Sequence, residues 1–237
     1  MKLQPNTNIF RLSWYLDQMR GWSFKTYMLL MLGIGIIIGT TVGAPLNALA
    51  LITMIAAVMG FTCTLAITNA KPINGILGLL SAIIYIIVSI YAKNYANVVL
   101  QASYILLLDL PVLLLPAWSK NAEKHIRGLN ISQWFLTLLF FMVVLGLLYF
   151  MDTQVFISPR PWIDATAGAI GVTGSILCTL RFREQYYFWT IQGIMSVVLW
   201  GVTAFQGDAN LTLFITYLLY LSNDLLAFTD KHTHWFH

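Results

Sequence analysis

Trp189, Gln192, Ser196, Trp200 and Thr203 follow one another at spacings of three, four, four and three. At about 100° per residue, that rhythm places all five on one face of a helix. The face mixes indole rings with hydrogen-bonding groups. This is the chemistry of recognition: rings stack on a flat solute while amides and hydroxyls orient it. The competing reading puts the tryptophans in the aromatic belts of a membrane, which suits Trp189 best.

A second candidate is Asp109, about 12 residues into a long apolar stretch. No Lys or Arg lies well inside any apolar stretch. A carboxylate there must be protonated, hydrated or paired with a cation that arrives. Gln101 and Tyr104 on the same stretch, and Tyr217, Tyr220 and Asn223 on a later one, add donors and acceptors suited to hydroxyl and amide groups. Each of these serves helix-to-helix hydrogen bonding equally well. Thr64, Thr68 and Asn74 form a further polar group fit for one side of a gate, with Trp200 and Asp224 as other gate candidates. Asn74 reads as readily as a helix cap after Pro72, and interfacial hydration accounts for Asp224, close to Asp230.

The elements that must carry these residues are membrane helices. The chain has 237 residues, 59% of them hydrophobic and 9% charged, with a mean hydropathy of +0.76. A soluble domain could not expose such a surface. The net charge of +4 therefore reads as a topology signal, and nucleic acid is not a partner. Cys63 and Cys178 lie in apolar segments, where they act as small hydrophobes. His232, His234 and His237 read as a solvated tail and His125 as surface. Neither a metal nor a cofactor is expected, and with no phosphate loop and no nucleophile beside a base the chain is not read as an enzyme.

At roughly 20 residues per crossing, eight spans fit: 24–43, 46–68, 73–91, 96–117, 133–151, 163–180, 187–205 and 209–229. Ile9, Phe10, Leu12, Trp14 and Leu16 suggest an interfacial helix ahead of an uncleaved first span. With the N-terminus inside, eleven of the 13 Lys and Arg face the cytoplasm and only Lys93 and Arg160 face outward. That bias is the positive-inside rule, and it makes both termini cytoplasmic.

The polar loop Tyr91 to Asn97, leading into the helix of Gln101 and Asp109, recurs about 114 residues later as Phe205 to Asn210, leading into the helix of Tyr217 and Asn223. Spans two to four and six to eight thus form two units in the same orientation, joined by a single helix. The organisation expected is 1–45 interfacial segment and extra helix, 46–118 first repeat, 119–160 basic loop and linker helix, 161–231 second repeat, and 232–237 tail. Shifted by one repeat, the Trp189 stripe reads Gly75, Gly78, Ala82, Ile86 and Ser89. Such a small-residue face allows close helix packing or leaves room for a ligand.

Over residues 46–231 the chain resembles the bacterial vitamin-precursor transporters of the Pnu type. The resemblance rests on the three-plus-one-plus-three plan; on Val98 to Gln101, the polar position at Asp109 and the aromatic Trp118; and on Trp189, Ser196 to Val198, Gln206-Gly207 and Asn223. The chain departs from it with Asp109 where Asn is expected and with the Leu-Pro-rich run Leu110 to Pro116. The resemblance implies an all-α, SWEET-like membrane fold, homo-oligomeric, in the bacterial inner membrane among its lipids. It implies a facilitator of nicotinamide riboside whose substrate is trapped by a cytoplasmic kinase. Thiamine or another nucleoside-like vitamin, carried with or without protons, is the alternative; a membrane-embedded enzyme or structural subunit fits least.

Overall fold

The computed structural model describes residues 7–114, 126–209, 211–233 and 235–236. Lys2, Trp118, Lys120, Lys124, His125, Asn210, His234 and His237 lie outside the described residues. Within them the chain is helical, and no strand forms beyond one isolated bridge between Arg127 and Phe182. A short helix α1 (Leu12–Gln18) precedes α2 (Phe24–Val42), α3 (Ala48–Thr68), α4 (Asn74–Tyr91), α5 (Tyr95–Leu114), α6 (Ile131–Val155), α7 (Pro161–Thr179), α8 (Gln185–Phe205) and α9 (Thr212–Thr229). The side chains of Ser23, Asn47 and Asn130 cap α2, α3 and α6 by accepting backbone N–H groups. Asn74 is no cap: Ile73 holds that position, and Asn74 opens α4 with its side chain buried.

Among the described residues seven helices, α2 to α6, α8 and α9, are long and apolar enough to cross a membrane. The helix expected as the sixth span, α7, is less apolar. It is also the most enclosed, with 13 of its 19 residues buried against α5, α6 and α8. A helix surrounded by protein needs small residues for close approach more than a greasy surface, and Gly168, Gly171 and Gly174 supply them.

The packing follows chain order within α3, α4 and α5 and again within α7, α8 and α9; α5 then meets α7, and α9 meets α3. In α6, by contrast, Leu148 is the buried residue before the helix's last turn, and Phe135, Leu139, Met142 and Leu147 are exposed. That is a helix dressed for lipid.

One helix departs from regular geometry where it matters. Pro111 lacks an N–H and its ring crowds the carbonyl of Leu107. The helix answers with a wide π turn over Ile105–Asp109, ending on Asp109, and the Thr179 hydroxyl donates to the Leu107 carbonyl.

The loop end of the bundle is tied by Arg160, which is buried. Its Nε donates to Asn94 Oδ1 at 3.0 Å and its Nη1 to Asp208 Oδ2 at 2.9 Å. It also reaches Gln206 and the Ala92 carbonyl. The two loops equivalent in sequence are thus joined through one guanidinium. Asp164 on α7 accepts from the Ala96 and Asn97 N–H groups at 2.9 and 3.0 Å, giving the N-terminus of α5 the anion its dipole favours.

Candidate functional site

Between α3, α4, α5, α8 and α9 lies a cavity of about 90 Å³. Ten of the polar and aromatic candidates from sequence line it: Gln101, Tyr104 and Asp109 from α5, Trp189 and Gln192 from α8, Tyr217, Tyr220, Asn223 and Asp224 from α9, and Thr64 from α3. The π turn aims Asp109 inward, and its Oδ2 is buried without a hydrogen-bond partner. Gly78 makes room for it: a Cβ at that position would fall 2.1 Å from Asp109 Oδ1. The small-residue face of α4 therefore packs closely on α5 at Gly75 and Gly78, and Gly78 and Ala82 also line the cavity.

Trp189 lies against Gly174 of α7, where an added Cβ would stand 2.8 Å from the indole. Its Nε1 is buried and donates to nothing. Unpaired polar atoms in a dry interior are costly, and among the described residues Asp109 Oδ2 and Trp189 Nε1 are two such atoms in the cavity lining. Asn223 Oδ1 accepts from Thr68 Oγ1 at 3.0 Å, which leaves the carbonyl oxygen of this lining residue tied to the end of α3. Gln192 Nε2 donates to Ser196 Oγ at 2.7 Å, so Ser196 holds Gln192 from one turn away and does not line the cavity.

The rest of the α8 stripe departs from expectation. Trp200 packs with Ala56, Val88 and Leu213 beyond the tyrosines that end the cavity, and Thr203 accepts from Asn94 Nδ2 at 3.2 Å in the loop region. Both share the azimuth of Trp189 but sit too far along the axis. Thr68 stands one layer behind the lining, and Asn74 is buried outside it, its carbonyl accepting from Cys63 Sγ at 3.3 Å. Asp224 corrects the expectation of interfacial hydration: it is 6% exposed, lines the cavity, and accepts from Thr190 at 3.4 Å.

Sequence reasoning missed Gly60, Ser81 and Tyr85, and it read Cys63 as plain packing. All four line the cavity, and Tyr85 meets Tyr220, also a lining residue, at 3.3 Å between hydroxyls. Gly78, Ser81 and Tyr85 at spacings of three and four were the available signal. Because Trp189 rests directly on Gly174, Gly174→Val is expected to push the indole into the cavity and weaken ligand binding about tenfold, with binding calorimetry as the measurement.

A helical membrane bundle enclosing an aromatic cavity with unpartnered polar atoms defines a small-molecule carrier. Residues 50–235 match the family model described as nicotinamide mononucleotide transporter, and the chain belongs to that family. The resemblance to the Pnu-type transporters is borne out, and the chain is a multi-pass membrane transporter. A nicotinamide riboside transporter PnuC of Neisseria mucosa is 27% identical over 94% of this chain and 86% of its own. One of Haemophilus influenzae is 26% identical over 75% of this chain and 77% of its own. The crystal structure of the vitamin B3 transporter PnuC shares the fold, with a TM-score of 0.78 at 24% identity over 94% of this chain and 96% of that one.

Proposed function

We propose that the chain carries nicotinamide riboside across the bacterial inner membrane, binding it in the cavity between α5, α8 and α9. The observation that carries this reading is the pairing of Asp109, with an unpartnered carboxyl oxygen, and Trp189, with an unpartnered N–H, in one cavity. Asp224 lines the same cavity, and among the described residues no Lys, Arg or His does. Nicotinamide riboside offers what these groups lack: a cationic ring to stack on Trp189 and face Asp109, with a carboxamide and hydroxyls for Asn223, Gln101 and Tyr217. The mononucleotide adds a phosphate for which the lining provides no cation. The names of the curated relatives support the riboside.

The wider plan is also our reading. Spans two to four (α3 to α5) and six to eight (α7 to α9) form parallel repeats, α6 is the linker, and α2 is the extra helix. The matching packing inside each triplet and the reciprocal meetings of α5 with α7 and α9 with α3 support it. Both termini lie in the cytoplasm by the charge bias. Lipid covers α6, the assembly is a homo-oligomer, and a cytoplasmic kinase traps the substrate.

The test is uptake of labelled nicotinamide riboside into liposomes holding the purified protein, with no ion gradient. Equilibration to equal concentrations is expected; strict dependence on a proton gradient would sink the facilitator reading. Asp109→Asn keeps the shape and removes the charge. A cation–carboxylate contact is worth about 4 kcal/mol at an effective dielectric of about 20, and desolvation offsets most of it. Binding of the cation should weaken about tenfold, while the neutral dihydro form of the riboside should bind the two proteins equally.

A further inference from the structure

The segment after α9 packs against residues that touch cavity-lining side chains. The chain turns at Asp230, and Lys231–Thr233 form a single 3-10 turn whose Thr233 hydroxyl donates to the Asp230 carbonyl at 2.8 Å. The Ser23 side chain, aided by His232 and Lys25, holds the Asp230 carboxyl below the usual carboxylate range, and Asp230 Oδ1 accepts from the His232 backbone N–H at 3.3 Å. The turn is therefore anchored at neutral pH, and this anchoring is lost only as the pH falls through that lowered value.

Beyond the turn, Trp235 is buried, at 9% exposed. Its Nε1 donates to the Thr68 carbonyl at 3.2 Å, at the last residue of α3. Its ring meets Tyr186 edge-on at 5.3 Å, and Tyr186 in turn meets Trp189 at 5.5 Å. Tyr186 is fully buried, and its hydroxyl lies 3.4 Å from Thr68 Oγ1. Phe236 completes the cover, 4.8 Å from Phe228. Two short relays therefore run from the tail to cavity residues: Trp235 to Thr68 to Asn223, and Trp235 to Tyr186 to Trp189.

We propose that Trp235 is a positioning residue of the substrate site and its closure at this end, holding Asn223 through Thr68 and Trp189 through Tyr186, and leaving when substrate passes. The inference rests on the cavity being the substrate site. The physics favours a tail in this role. An indole N–H on a helix C-terminal carbonyl fixes α3 and the aromatic layer by one directional bond. A segment beyond the last long helix that carries this indole can withdraw without moving any membrane helix.

Cys63 lines the cavity and reports on access to it. With Cys178→Ser as background, sealed vesicles are exposed on one side or the other to a membrane-impermeant thiol reagent. Trp235→Ala is expected to raise the rate of Cys63 labelling at least tenfold from the face that bears the termini and not from the other. Trp235→Phe keeps the ring and loses the N–H, and should leave labelling near the parent rate while weakening nicotinamide riboside about threefold. Trp235→Ala and Asn223→Ala should combine less than additively in the dissociation constant. Unchanged labelling, or acceleration from both faces alike, overturns the closure, and strict additivity overturns the positioning role. Labelling needs no substrate: if the parent protein binds no nicotinamide riboside, the transport reading fails while the closure is still measured.

Discussion

Gly78→Val is expected to abolish nicotinamide riboside binding while the helices still form. At Gly78 the backbone of α4 comes so close to α5 that an ideal Cβ would lie 2.1 Å from Asp109 Oδ1 and 2.8 Å from its Cγ. No side chain tolerates such distances. Asp109 cannot easily turn aside, because it ends the π turn imposed by Pro111 and lies between α4 and the cavity. Even Gly78→Ala should cost about 1–3 kcal/mol as overpacking, read as a lower unfolding temperature. Gly78→Val should cost more and drive the carboxyl into the space the substrate needs. A second substitution separates the two effects. Asp109→Ala in the Gly78→Ala background removes the clashing atoms, so stability should recover by more than additivity allows while the charge-dependent part of binding stays lost. If Gly78→Val binds substrate like the parent protein, the close approach of α4 and α5 is wrong.

Arg160→Met should give the largest loss of stability from a single substitution outside the cavity. The Arg160 side chain is 2% exposed and donates to partners in both loops, Ala92 and Asn94 on one side and Gln206 and Asp208 on the other. Methionine fills the volume and leaves those acceptors without donors. Removing one partner of a buried, hydrogen-bonded charge costs about 3–5 kcal/mol. Asp208→Asn should cost far less, because its carboxyl is 33% exposed and water replaces the guanidinium. Arg160→Lys should recover only part of the loss, since an ammonium cannot span the fork of acceptors. Thermal unfolding in detergent measures all three, and equal effects for Arg160→Met and Asp208→Asn would show that the cluster is a surface ion pair.

The helices were legible because the apolar runs are long and their breaks are chemical: Gly43 to Pro45, Pro72 and the Asp208 turn. Composition marked α7 weakly because its surface is satisfied by neighbours instead of lipid. The α8 face was half legible. Spacing gives an angle around a helix and no depth, so Trp189 and Gln192 reached the cavity while Trp200 and Thr203 fell beyond its end. The π turn that aims Asp109 was foreshadowed by Pro111 inside an expected span, but its response depended on Thr179, 72 residues away. Asp224 was misjudged because closeness to Asp230 suggests water, whereas in the fold it lines the cavity, and the segment after α9 turns back against the aromatic layer of Tyr186 and Phe228. Carboxylates at positions 109 and 224 could be weighed from sequence only singly, and their meeting in one cavity needed the packing of α5 on α4 and of α9 on α8.

Calorimetric titration of the purified protein tests the central claim most directly, with nicotinamide riboside, its mononucleotide and thiamine as titrants. The account predicts saturable binding of nicotinamide riboside at one site per chain, weakened by Asn223→Ala and Trp189→Ala, and no saturable heat from the mononucleotide. Absence of nicotinamide riboside binding together with saturable binding of thiamine or of the mononucleotide would contradict it.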